Sequence, residues 1–146
     1  MIDALAIDCC WLVHLDRTTD DFSTTIRVLN KILESGTSIL FDSEGGIHKE
    51  YERHVNGPLG RKFLQCCLLR SRVAYYSGHM TARHMSALDQ LSFDPSDRKY
   101  LAVCIAHSDA AYLTSEEKHL KPTQAVSIKA ATGVAVLDTS GLDQVI

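Results

Sequence analysis

Ala4-Leu5-Ala6-Ile7-Asp8 (ALAID, residues 4–8) decides the fold. Its four apolar residues open the stretch Ala4 to Leu15, which reads as the first strand: they run without polar alternation, the pattern of a strand covered on both faces, as in a parallel sheet packed between helices. Asp8 then closes the run, and an acid at the end of a buried strand must find a partner.

Outward from that strand, Phe22, Ile26, Leu29 and Leu33 recur at helical spacing after an acidic start at Asp20 and Asp21, and Gly36 supplies a stop. Ser38 to Phe41 (SILF) reads as a second parallel strand reached by that crossover helix. Ile47, Tyr51 and Val55 mark one helical face. Asn56-Gly57-Pro58 breaks the chain before a second helix carrying Phe63, Leu64, Cys67 and Leu68. Val73 to Tyr76 reads as a short extended piece, followed by a helix through Met85, Leu88 and Leu91. Asp94-Pro95-Ser96-Asp97 opens a helix with Leu101 and Ile105 buried, capped by Ser96 or Asp94. Ala110 to Thr114 is the next strand, Glu116 to Leu120 a helical turn, and Val134 to Leu137 the last strand. The sum is a single α/β domain over residues 1–146, in three α/β/α layers around a small, mostly parallel sheet.

Composition agrees with one folded domain. Hydrophobic residues make up 45% of the 146 and charged ones 23%, the ordinary usage of globular chains, which excludes disordered and fibrous classes. No stretch approaches the roughly 20 apolar residues of a membrane span, and the N-terminus lacks a basic lead, so a cytoplasmic protein is expected. The five cysteines show no CxxC spacing, which favours reduced thiols over a zinc site. Seven histidines form no HExxH pattern, and Gly45-Gly46 is no phosphate loop. Trp11 and Phe22 are expected in the core or a subunit interface.

Net charge is −3, yet no acid occurs from Arg53 to Leu88, where Arg53, Arg61, Lys62, Arg70, Arg72 and Arg83 give +6. One basic segment in an acidic chain is either a solvated face or a surface that attracts phosphate.

Ligands of open parallel sheets bind beyond the strands' C-terminal ends. Asp8 and Glu117 should reach that edge, with Glu50 on the helix after the second strand and Asp97 in the first turn of a later helix. Asp42 and Glu44 lie near enough to support such a site, although turn chemistry explains them as well. Two unit charges about 4 Å apart repel by roughly 4 kcal/mol at an effective dielectric of about 20. Four gathered carboxylates therefore call for protons or a hard divalent cation, Mg2+ or Mn2+.

The pieces ALAIDCCWLV, IHKEY, SDRKYLAVCIAHSDAAYL and SEEKHL resemble, in order and separation, the four acidic motifs of the PIN-domain nucleases. The resemblance matches the family's first Asp to Asp8, its helical Glu to Glu50 and its central Asp to Asp97. It sets the Thr/Ser-any-Asp motif on Ser115, Glu116 and Glu117, with Glu116 as the alternative fourth ligand if the register slips by one. Cys9 stands where the family often has Thr, Ser or Asn. What the resemblance implies is a metal-dependent endoribonuclease acting on single-stranded RNA. Asp8, Glu50, Asp97 and Glu117 would hold Mg2+ or Mn2+, and Ser115, Arg53, Arg61 and Lys62 would contact the substrate. Small members of the family often dimerise, and many bacterial ones are toxins held by antitoxins, so a homodimer or an antitoxin-like protein is the implied protein partner. The Cys9 and Glu117 departures support the other reading, an inactive PIN-like interaction or regulatory module.

Overall fold

The run Ala4–Ile7 forms β1, fully buried, at the centre of a five-stranded sheet in a computed structural model that describes residues 1–17 and 22–146. Asp20 and Asp21, read as the start of a helix, lie outside the described residues. Strand β1 ends at Ile7 because Asp8 accepts a hydrogen bond from the Cys10 amide and caps a short helix, α1 (Cys9–His14). Helix α2 (Phe22–Ser35) buries Val28, Leu29 and Ile32, and Gly36 follows at φ 81°. Strand β2 (Ser38–Asp42) pairs parallel to β1, setting Ile39 opposite Leu5.

Helix α3 (Gly46–His54) starts on Asp42, whose two carboxylate oxygens accept from the Gly46 and Ile47 amides at 2.8 and 2.7 Å. Asp42 thus acts through turn chemistry. Helix α4 (Pro58–Leu69) is held in the same way by Asp16, which accepts from the Leu59 and Gly60 amides. Gly57 is required there, since a Cβ would lie 2.1 Å from the Asp16 carboxylate. The extended piece Val73–Tyr76 is a full strand, β3, parallel to β2 at the sheet edge. Helix α5 (Ala82–Gln90) and the 3-10 turn Pro95–Asp97 lead into α6 (Arg98–His107), with Asp94 as the cap of that turn. Strand β4 (Ala110–Leu113) pairs with β1, and β5 (Ala135–Leu137) pairs with β4. Helix α7 (Glu117–Leu120) follows β4 directly. Two further helices, α8 (Pro122–Thr132) and α9 (Thr139–Val145), were not signalled by apolar spacing.

The strand order is β3-β2-β1-β4-β5, all parallel. Right-handed crossovers from β1 through β2 to β3 put α2, α3 and α4 on one face of the sheet. The return to β4 and β5 reverses direction and puts α5, α6 and α8 on the other. Packing agrees: α2 touches α4, α5 touches α8, and α6 lies across β1, β2 and β4. Trp11 is buried in the core, whereas Phe22 is outside it, 53% exposed, because the α2 stripe that meets the core begins at Thr25; of its two expected places only the core is excluded.

Candidate active site

The direction of winding reverses between β1 and β4, and at such a switch point the two following loops diverge and leave a crevice. A cleft of about 430 Å3 occupies this edge of the sheet. Asp8, Glu50, Asp94, Asp97 and Glu116 line it, with Cys9, Cys10, His14, Arg17, His54 and Lys118.

Asp8 is placed by the end of β1 and pinned across to β4. Its Oδ2 accepts from the Tyr112 hydroxyl and from Thr114 Oγ1 at 2.9 Å, while Oδ1 takes the Cys10 amide at 3.3 Å. Tyr112 is buried and its hydroxyl faces that carboxylate, so burial first, and the Asp8 charge next, hold its pKa well above the usual phenol range.

Glu50 projects from α3. Its Oε2 accepts from the Tyr100 hydroxyl at 2.6 Å and pairs with Lys99 Nζ at 3.0 Å. Tyr100 accepts in turn from the Cys9 amide at 3.2 Å and stacks on Tyr112, ring centroids 5.6 Å apart. The Tyr51 hydroxyl donates to the Ile7 carbonyl and fixes α3 against the end of β1. Two buried tyrosines therefore tie Asp8 and Glu50 into one layer beneath the cleft.

Asp97, at the end of the 3-10 turn, meets His119 Nε2 at 2.9 Å. His119 is 1% exposed and stacked on Phe93 at 4.5 Å, and its Nδ1 is buried without a hydrogen-bond partner. The tautomer that fits carries its proton on Nε2, since a proton on Nδ1 would be a buried donor with nothing to accept it.

Glu116 caps the approach to α7. Its amide donates to Thr114 Oγ1 at 3.0 Å, and its carboxylate makes no hydrogen bond or ion pair among the described residues. Glu117, one residue on, is exposed and does not line the cleft. Thr114-Ser115-Glu116 is itself a Thr/Ser-any-acid triplet, so the signal for the one-residue shift was present in the sequence.

Of the expected substrate contacts, Ser115 stands beside the cleft on Cys10, and Arg53, Arg61 and Lys62 are not among the residues that line it. Ser115 Oγ donates to Cys10 Sγ at 3.1 Å. Arg53 is exposed at the end of α3, Arg61 lines a separate groove, and Lys62 borders a shallow depression with Asp16 and Pro58. The cations at the cleft are Arg17, Lys118, which holds Asp94 at 2.9 Å, and Lys99 on Glu50. Sequence spacing gave no sign of them.

Counting Lys99, five carboxylates face three permanent cations, an excess of two negative charges. The donors are hard oxygens. Glu50 Oε1, Asp97 Oδ1 and both oxygens of Glu116 carry no bond within the protein among the described residues, a set that suits Mg2+ or Mn2+. No three His, Cys, Asp or Glu side chains among the described residues already stand together as a metal cage. Lys99, His119 and the two tyrosines hold the remaining oxygens of Glu50, Asp97 and Asp8.

No family model, curated protein or solved structure matches this chain.

Proposed function

We propose that the chain is a PIN-like phosphodiester hydrolase, an endoribonuclease acting on single-stranded RNA with Mg2+ or Mn2+. The observation that carries this reading is that Asp8, Glu50, Asp97 and Glu116 all line one cleft at the switch point between β1 and β4. Acids drawn from four separate parts of the chain reach one crevice, where a solvated-surface explanation of each acid would leave them apart.

Glu116, Asp97 and Glu50 would hold the ion through their free oxygens. Asp8, fixed by Tyr112 and Thr114, would complete the negative field. When bound, such an ion polarises the phosphoryl group, acidifies an attacking water and offsets charge on the leaving oxygen. Lys118 and Arg17 would hold substrate phosphate at the mouth, and Tyr100 keeps Glu50 oriented. Five free thiols suit a reducing compartment such as the cytoplasm. No helix among the described residues is long and apolar enough to cross a membrane.

The test is labelled single-stranded RNA incubated in Mn2+, with and without chelator. Cleavage should require the metal and fall by roughly 100-fold or more in Asp8→Asn, Asp97→Asn and Glu116→Gln, while Glu117→Gln stays within a few-fold of the parent. Unchanged cleavage in the first two variants overturns the site.

One observation favours the inactive interaction module: Glu50 is already paired with Lys99, and Asp97 with His119. That reading expects no cleavage and no metal-dependent thermal shift.

A further inference from the structure

Strand β3 ends the sheet on one side. It pairs with β2 alone, and the Arg72 and Tyr76 carbonyls accept from the Ile39 and Ser43 amides at 2.8 and 2.7 Å. Successive residues of a strand turn their backbone groups to opposite sides, so Val73 and Tyr75 direct their amides and carbonyls away from β2. Outside the sheet those groups have no bond among the described residues. Sheet edges are commonly blunted by lysine, proline or a bulge, and Val73–Tyr76 has none of these: its register with β2 runs unbroken.

The two ends of this edge carry opposite charge. Arg70, exposed, and Arg72, half-buried, stand at its start, and among the described residues neither is paired with a carboxylate. At its end Glu44 accepts from the Gly78 amide at 2.7 Å and the Ser77 hydroxyl at 3.0 Å, with His79 at 3.7 Å as the one cation beside it among the described residues. Between the ends Tyr75 is 59% exposed and stacks at 5.7 Å on Phe41, which lines an apolar groove of about 260 Å3 between α3 and α4.

We infer that the β3 edge is the docking surface for a second copy of this chain, whose own β3 adds antiparallel across a twofold axis and joins the two sheets into one. Antiparallel addition turns the second strand end for end. The arginines at the start of one β3 then meet Glu44 at the end of the other, and the twofold makes this contact twice. With Val73 opposite Tyr75 of the other copy, both residues exchange their outward amides and carbonyls, and each pair sets an aromatic ring on a β-branched side chain on one face. An extended peptide from another protein fits an open edge as well, but the self-complementary ends select the copy. Addition of β3 to the opposite edge, β5, would leave an edge open at every step, whereas the twofold closes after two chains. Four residues make a small interface, so the association is weak and concentration-dependent. It does not depend on the proposed hydrolase, and it places the two acidic clefts on opposite margins of the joined sheet, because the paired strands run in opposite directions.

Sedimentation equilibrium of the full chain across micromolar to millimolar concentrations should show a monomer–dimer equilibrium. Tyr75→Pro removes an outward N–H, which an edge strand tolerates, and should weaken dimerisation by about tenfold or more. Arg70→Glu, at an exposed position, should weaken it also, and Glu44→Arg added to the same chain should restore it. Thermal melts verify folding, and the charge exchange keeps the test decisive if the proline variant does not fold. A chain monomeric at every concentration, which is the result for an edge that serves a foreign peptide, overturns the proposal. So do an unchanged dimer in folded Tyr75→Pro, a charge exchange that restores nothing, and growth into larger species.

Discussion

Asp8 does two things with two oxygens: Oδ1 starts α1, and Oδ2 is shared by Tyr112 and Thr114 across the β1–β4 pair. Tyr112→Phe leaves Oδ2 with a single donor in a buried place. Hydrogen bonds to charged groups contribute about 1.5–3 kcal/mol, so urea denaturation should show a loss of that order, and Mn2+-dependent cleavage should fall with it as Asp8 loosens. At this scale the sequence disclosed which residue types meet, and less of how they are held. Asp8 was readable because it ends a buried run. The tyrosines and His119 were not, since apolar spacing presents a buried aromatic as core whatever its polar end touches. Glu116 and Glu117 could not be told apart by spacing, because a four-residue helix such as α7 has no periodicity to fix its start.

The clearest dependence among elements is that of α3 on Asp42. Two first-turn amides that have no partner within the helix are taken by one buried carboxylate, whose charge is also favoured at the positive end of the helix dipole. Asp42→Ala removes both bonds and should cost about 1–2 kcal/mol in urea denaturation. It should also weaken cleavage, since Glu50 rides on that helix. The strands β1, β2 and β4 were legible as apolar runs, and α2, α3, α4 and α6 as stripes. Strand β3 gave only a weak signal because an edge strand is half-buried and its Tyr75 faces solvent. Helix α8 gave none: Ile128 is its single buried residue, and Val126 is 69% exposed, so no stripe exists to be read. The N-terminal run merged strand and helix because Cys9, Trp11 and Leu12 continue the burial of β1 without a polar break beyond Asp8.

Across the whole molecule, buried ionisable groups set a limit on alkaline stability. Burial, with Glu50 and Asp8 adding, pushes the Cys9 thiol up to about 12; burial alone takes Cys104 to about 12, and burial with Cys66 takes Cys67 to about 11, all from an ordinary 9.0. Tyr51, Tyr100 and Tyr112 move upward also, chiefly through burial. Above pH 9 the unfolded chain releases thiol protons that the folded chain retains, so the folded state binds more protons and stability falls as pH rises. This contribution is complete below pH 9 and is lost through about pH 11 to 12. Urea midpoints at pH 8, 9.5 and 10.5 should decline in that order, and a flat profile would contradict the burial of these groups. The layer order and parallel sheet were inferable from the alternation of runs and stripes. The strand order was not, because nothing in a linear pattern states on which side of β1 the fourth strand will settle.

Helix α3 is a partition shared by two chambers, anchored at one end by Asp42 and against β1 by the Tyr51 hydroxyl. The same nine residues wall both chambers, so a substitution that displaces the helix alters the acidic cleft and the apolar groove together.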